Sequence, residues 1–310
     1  MGLIALISGV LPVFLLIVLG YGLKKSDFLP DATWRPIEKL SINLLYPGFL
    51  IPSIWGADMS SGSAGAAAGA AVVAILIVSA LTLLAKPLIR IDGPAYTSVF
   101  QGVIRWNSFV FLPVIQASFG REGLALAAVM IACIIPVTNI ACVAVLARWG
   151  ADQKGVRPLA LIRAMLANPI LLACLIGLAL NFARVPAIPG VTETLKLLGS
   201  AALPLGLIIA GAGLSFAEVA RRKYTIAGVS FVKLVLMPPL MWGLCIAFGG
   251  DHLAQGVAML CGAAPGAAAA YLLARQMGGD AGLMAGIIAL TTVISALMIP
   301  LLLFLYHLTG

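Results

Sequence analysis

Four residues with hydrogen-bonding or helix-breaking chemistry lie close together in the apolar stretch FQGVIRWNSFVFLP, residues 100–113. Arg105, Asn107 and Ser108 fall within four residues, and Pro113 follows five residues later. A guanidinium offers a fork of donors that suits a carboxylate, and Asn107 and Ser108 add neutral hydrogen-bonding groups. A cation in the middle of a membrane span costs about 2.5–3.5 kcal/mol. The cluster therefore predicts a binding site for an anion.

The same residues also have structural interpretations. Arg105 either binds a substrate directly or has a structural or gating role, in which it pairs with a backbone carbonyl or lies near an interfacial cavity. Asn107 and Ser108 either face the site or bond to neighbouring carbonyls. Asn43 and Tyr46, which come before a proline, are further candidates for the wall of the site.

The composition shows which solvent surrounds these residues. Of the 310 residues, 62% are hydrophobic and 10% are charged, and the mean hydropathy is +1.12. Soluble domains carry about 25% charged residues, so the surface of this chain must face lipid. The net charge of +8 does not indicate nucleic-acid binding, because the basic residues lie in short clusters between apolar segments. We therefore expect one integral membrane domain over residues 1–310.

The apolar segments predict ten transmembrane helices, since a span needs roughly 20 mostly apolar residues. Fourteen of the 19 lysines and arginines lie in or beside loops one, three, five, seven and nine. Basic loops stay in the cytoplasm, which predicts that both termini lie outside. The predicted spans are 2–23, 33–55, 63–88, 93–118, 121–148, 157–182, 191–214, 224–248, 252–275 and 280–307.

An internal repeat relates the two halves of the chain, about 1–150 and 157–310. Each half holds five spans, and an odd number inverts the second half in the membrane. The pattern therefore predicts a five-plus-five inverted repeat, which is common in secondary transporters. At shifts of 154 to 159 residues the matches are Pro12 with Pro169, Gly20 with Gly177, Lys39 with Lys196, Pro47 with Pro204, Gln101 with Gln255, and Gly123 with Gly282.

Proline lies in matched stretches of spans four and nine, NSFVFLP at 107–113 and CGAAPGAAAAY at 261–271. Proline interrupts a helix, and in lipid the freed backbone groups must be enclosed by protein or by a cavity. We expect helix breaks at Pro113 and Pro265, each opening a half-helix whose N–H groups point at the gap. Two such N-termini favour an anion. The second stretch adds to the candidate site Ala264, Pro265 and Gly266.

Other polar residues within the spans are assigned to packing or to the membrane surface. We expect Thr138 and Asn139 to make helix-packing contacts and Lys233 to extend to the cytoplasmic surface. All eleven acidic residues fall in loops or at span ends, so no carboxylate at depth indicates coupling to sodium or protons. The chain carries no nucleotide-binding or metal-binding motif. We expect no cofactor, no metal site and no catalytic residue.

Three features resemble the auxin efflux carrier family, which includes the plant PIN-type carriers and bacterial members described as malonate or malate permease-like. They are Asn107 followed by Pro113 in span four, the lone Pro265 in a Gly/Ala-rich span nine, and the run YLLARQMGGDAGLMAGIIALTTVISALMIP from Tyr271 to Pro300. The resemblance covers the whole chain, with the short central loop of the bacterial members.

The resemblance implies an elevator-type alternating-access mechanism in the bacterial cytoplasmic (inner) membrane. Spans four and nine would cross in a mobile transport domain made of spans 3–5 and 8–10. Spans 1, 2, 6 and 7 would form a scaffold that also makes a homodimer. The implied substrates are organic anions, and Arg105, which is not part of the family pattern, favours a dicarboxylate such as malonate or malate.

The sequence thus predicts a secondary active or facilitative transporter of small mono- or dicarboxylates. The alternative is a sodium-coupled symporter resembling the bile-acid carrier family, which has a related architecture. A membrane enzyme or a sensor is a third class, but the chain shows no acid–base cluster and no appended soluble domain.

Overall fold

The computed structural model describes residues 3–57, 63–88, 90–151 and 168–308, which are helical and contain no β-strand. The predicted all-α class is therefore confirmed. Lys154 of the predicted fifth loop and the start of predicted span six, with Arg157 and Arg163, lie outside the described residues. The helices are α1 (Leu3–Lys25), α2 (Asp31–Leu40), α3 (Tyr46–Trp55), α4 (Ala64–Leu84), α5 (Gly93–Ile104), α6 (Ser108–Trp149), α7 (Pro169–Phe182), α8 (Val191–Ser200), α9 (Ala202–Ala212), α10 (Lys223–Phe231), α11 (Met237–Ala247), α12 (His252–Ala263), α13 (Ala268–Gln276) and α14 (Ala281–His307).

Five helical stretches in the described part of the chain are long and apolar enough to cross a membrane, and the bent pair α12–α13 makes a sixth if it is one span. Large apolar side chains face outward on these helices. Leu84 and Leu297, for example, are each 75% exposed, as expected for a surface that lipid covers. These are the features of an integral membrane protein. The qualifying stretches are Ala64–Leu84, Gly93–Trp149, Val191–Ala212, Lys223–Ala247 and Ala281–His307.

Two helical stretches are each interrupted by a short extended segment. Between α5 and α6, Arg105 and Asn107 adopt extended backbone angles. Between α12 and α13, Ala264 and Ala267 do the same, and the two helices are bent by 46°. A third interruption lies inside α6, where Gly120 has a φ of 60° and a ψ of −147°. It divides α6 into residues 108–119 and 121–149.

The break in span four does not lie at Pro113, so that prediction is wrong in position. Asn107 ends the extended segment and caps α6, and Pro113 lies within the second turn of that helix. Its missing N–H removes one helical hydrogen bond without ending the helix. Pro265 does lie in the break of span nine, but α13 begins three residues later, at Ala268.

Close helix pairs are formed where a glycine meets a neighbouring backbone. α1 packs against α9, with Gly20 against Ile208 and Gly211 against Ile17. A Cβ atom at either glycine would overlap with main-chain atoms of the other helix. α3 packs against α7, where Gly177 lies against the side chain of Ile54. The glycines therefore allow the two helices of each pair to approach closely.

Candidate functional site

A cavity of about 370 Å³ lies where the α5–α6 break meets the starts of α7 and α13. Its wall mixes apolar side chains with an arginine, a carboxylate, three asparagines and two hydroxyls. We name it the Arg105 cavity. It is lined by Glu38, Ile42, Arg105, Trp106, Asn107, Ser108, Phe109, Ile135, Thr138, Asn139, Asn168, Pro169, Ile170, Ala267, Ala268 and Ala269.

Three helices begin at the wall of this cavity: α6, α7 and α13. Asn107 caps α6, since its Oδ1 accepts a hydrogen bond from the N–H of Phe109 at 2.9 Å. Asn168 caps α7 in the same way, accepting from the N–H groups of Ile170 at 3.0 Å and Leu171 at 3.1 Å. Each helix N-terminus carries a positive partial charge. Their convergence gives the cavity a positive potential even before side-chain charges are counted.

The N-terminus of α13 differs from the other two because no side chain caps it. The N–H groups of Ala268 and Ala269, which line the cavity, belong to the first turn and have no acceptor within their own helix. Just before this turn, the N–H of Gly266 donates to Oγ1 of Thr291 at 3.0 Å. The first turn of α13 therefore offers backbone donors to a ligand in the cavity.

A direct hydrogen bond joins the two breaks. The backbone N–H of Asn107 donates to the carbonyl oxygen of Pro265 at 2.9 Å. Asn107 is buried, so an unpaired N–H at this position would be costly. The bond holds the starts of α6 and α13 at a fixed separation, which keeps both N-termini at the same cavity.

Arg105 ends α5 and lies half-buried in the cavity wall. Its guanidinium donates a hydrogen bond to Oδ1 of Asn139 on α6. A guanidinium carries five N–H donors, so this one bond orients the side chain and leaves donors for a ligand. Arg105 thus has a structural partner and also faces the cavity.

The cavity wall also contains a carboxylate. Glu38 of α2 is half-buried and lies in the wall that includes Arg105. Glu38 is one of the acidic residues assigned to loops or span ends, and the structure places this residue near the start of span two in the cavity wall. The reason is that α2 runs into α3 through the π-helical turn Ser41–Leu45, which makes the charged start of span two part of the helix beside the site.

The structure brings together some of the predicted site residues but not all. Arg105, Asn107 and Ser108 line the cavity. In the second half of the chain the wall is made by Ala267–Ala269, three residues beyond the predicted set of Ala264, Pro265 and Gly266. The shift arises because the extended segment spans four residues before α13 begins. Pro113 is buried within α6 and does not line the cavity.

Asn43 and Tyr46 also lie outside the cavity wall. Asn43 donates from its side chain to the carbonyl of Lys39, one turn earlier in its own helix, at 2.7 Å. Tyr46 is fully buried, and its ring packs on that of Phe109 with centroids 5.1 Å apart. Tyr46 therefore supports a cavity residue from behind.

Four polar wall residues were not predicted: Glu38, Thr138, Asn139 and Asn168. Thr138 and Asn139 were assigned to packing. Thr138 donates to carbonyl oxygens of its own helix and Asn139 accepts from Arg105, and both residues also line the cavity. Asn168 carried a usable signal, because asparagine directly before a proline and an apolar run is typical of a helix N-cap.

Lys233 is 1% exposed, so the expectation that it extends to the membrane surface is wrong. It lies in the π-helical turn Val232–Leu236 between α10 and α11. This turn packs against α5, α12 and α14. In the described part of the chain its ammonium makes no ion pair within 4 Å.

A second cavity, of about 460 Å³, lies farther along α6. We name it the Arg121 cavity, and its two charged wall residues, Arg121 and Lys196, are both basic. Its other wall residues are Gly48, Phe49, Pro52, Ser53, Gln116, Gly199, Ser200, Leu203 and Pro204. Residues 108–119 of α6 run between the two cavities.

Comparison with known proteins indicates transport. A model of the membrane transport protein family matches residues 156–303. An uncharacterized transporter from Methanothermobacter thermautotrophicus is 25% identical over 303 residues, which cover 94% of this chain and 95% of that protein. These matches confirm the resemblance predicted from the sequence: the chain is similar to the membrane transport proteins of the auxin efflux carrier family.

Proposed function

We propose that the protein is a carrier of small organic anions, mono- or dicarboxylates such as malonate or malate, across the cytoplasmic membrane. The observation that carries this proposal is the meeting of three helix N-termini and one arginine at a single cavity. Backbone N–H groups and a guanidinium are the donors that carboxylates prefer. A dicarboxylate has two carboxylate groups, one for the backbone N–H groups and one for the guanidinium.

The cavity also explains why a substrate would leave again. Asn107 and Asn168 already satisfy the first N–H groups of α6 and α7. The uncapped turn of α13 and the remaining donors of Arg105 are left for the anion. A carrier must bind its substrate selectively but must also release it. Because two of the three helix N-termini are already capped, few donors remain for the anion, and release stays possible.

We also propose that the chain forms ten spans arranged as an inverted repeat. The packing supports this, because repeat-related spans make equivalent pairs: span one packs on span seven through α1 and α9, and span six on span two through α7 and α3. Gly20 lies at the contact of the first pair and Gly177 at the contact of the second, and these two glycines are matched in the internal repeat. Matched caps also occur, since Asp92 accepts from the N–H of Ala95 and Asp251 from that of Ala254, each at 2.8 Å.

An elevator-type movement would carry the anion between the two cavities. Both cavities lie at the boundary between the proposed scaffold (spans 1, 2, 6 and 7) and the proposed transport domain. Residues 108–119 of α6 contribute to both walls. Sliding of this half-helix along the scaffold would transfer the site from the Arg105 cavity to the Arg121 cavity. In the predicted orientation, with both termini outside, the Arg105 cavity opens towards the cytoplasm, and a homodimer would anchor the scaffold.

Binding of carboxylates to the purified protein tests the proposal. We expect malonate or malate to raise the apparent melting temperature by mass action, and choline, a cation of similar size, to have no effect. Arg105→Gln should abolish the shift, because it removes the charge and the fork of donors. Arg90→Gln, at an exposed loop position, is the matched control and should keep it. A screen of mono-, di- and tricarboxylates without any shift would refute the proposal.

A further inference from the structure

Glu38 is a carboxylate in the wall of a cavity that we propose to bind an anion. We infer that Glu38 takes up a proton when the anion binds, so that loading of the Arg105 cavity is coupled to protonation. This inference rests on the proposed function. It adds a second ligand, a proton taken from bulk water, to the same site.

Among the residues that the structure describes, few charges lie around Glu38. Arg105 is the other ionisable residue in the cavity wall, and Arg35, one turn earlier on α2, interacts electrostatically with Glu38. α2 packs against the π-helical turn Ser41–Leu45 and against α9, and neither segment contains a charged side chain. In the described part of the chain Glu38 makes no ion pair within 4 Å. Its charge is thus not neutralised by a close partner.

An anion in this cavity changes the balance at Glu38. With the cavity empty of anion, Arg35 favours the charged carboxylate, and Arg105 and three helix N-termini give the same cavity a positive potential. A bound dicarboxylate cancels much of that positive potential and places like charge beside Glu38. Two carboxylates that share a site favour protonation of one of them. Protonated Glu38 no longer repels the anion and gains an O–H donor for it.

The direction of the pH effect follows from linkage. If the anion favours the protonated form of Glu38, then protonation of Glu38 favours the anion by the same factor. Affinity is therefore highest at low pH and falls as pH rises through the pKa of Glu38. It levels off once Glu38 is charged in both the free and the bound protein.

Malonate binding to the wild type and to Glu38→Gln, measured by calorimetry between pH 5.5 and pH 8.5, tests the inference. Ionisation of malonate itself affects both proteins equally and cancels in the ratio of their dissociation constants. We expect wild-type binding to be about tenfold weaker than that of the variant at the basic end, and this ratio to fall towards one as the pH is lowered. Glu193→Gln, at an exposed carboxylate of α8, is the matched control and should follow the wild type.

Proton uptake gives a readout that needs no variant. Binding enthalpies measured in buffers with different ionisation enthalpies should show uptake of up to about half a proton per malonate by the wild type, as a tenfold coupling requires. A ratio that stays constant with pH, together with no proton uptake, would overturn the inference about Glu38 and leave the anion site intact. Malonate and malate that fail to bind to either protein at any pH would instead refute the proposed function.

Discussion

The contact between Arg105 and Asn139 decides how much positive charge reaches the cavity. Asn139 accepts one hydrogen bond from the guanidinium and adds no charge, so it fixes the side chain while leaving the cation free to bind an anion. An aspartate in its place would form an ion pair and neutralise the cavity. This residue therefore distinguishes a binding role for Arg105 from a purely structural one.

Asn139→Asp should weaken malonate binding at least about fivefold, since the new charge lies beside Arg105. Its melting temperature without ligand should stay close to that of the wild type or rise, because a partner for Arg105 is kept. Asn139→Ser, which is small and neutral, should weaken binding much less. Titration calorimetry on the three proteins checks both points. Unchanged affinity in Asn139→Asp would show that Arg105 does not contact the anion.

Lys233 is a second residue whose charge can be tested by substitution. It is buried, and in the described part of the chain its ammonium has no acidic partner. Burying a charge without a partner is costly. Lys233→Met keeps the length of the side chain, and we expect it to raise the free energy of unfolding by about 1–4 kcal/mol. The exposed Lys39→Met should change it by less than about 0.5 kcal/mol. A decrease in Lys233→Met would show that the ammonium binds a group that stabilises the fold.

At the scale of elements, the close helix pairs depend on glycine. A Cβ at Gly211 would overlap with the backbone of Ile17 in α1, whereas a Cβ at Gly228 in α10 meets no atom within 4 Å. Gly211→Ala should therefore destabilise the protein by more than about 1 kcal/mol. Gly228→Ala should be neutral or stabilising by up to about 1 kcal/mol, since alanine is the better helix former. Thermal unfolding of both variants checks this, and equal melting temperatures would contradict the packing of α1 on α9.

The elements also show what local sequence can predict. The polar cluster at Arg105, Asn107 and Ser108 identified one wall of the cavity, because polar groups in an apolar span have few other uses. The position of the break in span four was not predicted correctly. The same stretch contains an asparagine that can cap a helix and a proline that can interrupt one, and the sequence alone does not show which of them marks the break. Glu38 and Asn168 were missed for a different reason. Only the packing of α2, α6 and α7 brings these distant residues to one cavity.

At the scale of the whole molecule, the two cavities on either side of residues 108–119 give the proposed movement its two end points. Among the described residues the two cavity walls differ in charge: one contains Glu38 and Arg105, and the charged residues of the other are Arg121 and Lys196. If a proton is needed to load one side only, the two directions of transport should respond differently to pH. The family match and the apolar helices support a transporter, and the direction of net flux then depends on the gradients of anion and proton.

Counterflow in reconstituted liposomes tests the central claim most directly. Vesicles loaded with unlabelled malonate or malate should accumulate labelled substrate when they contain the wild type or Arg90→Gln, and at least about tenfold more slowly with Arg105→Gln. Vesicles without protein give the background. Accumulation that equals this background in wild-type vesicles, or that is identical in Arg105→Gln and the wild type, would contradict an anion carrier built on the Arg105 cavity.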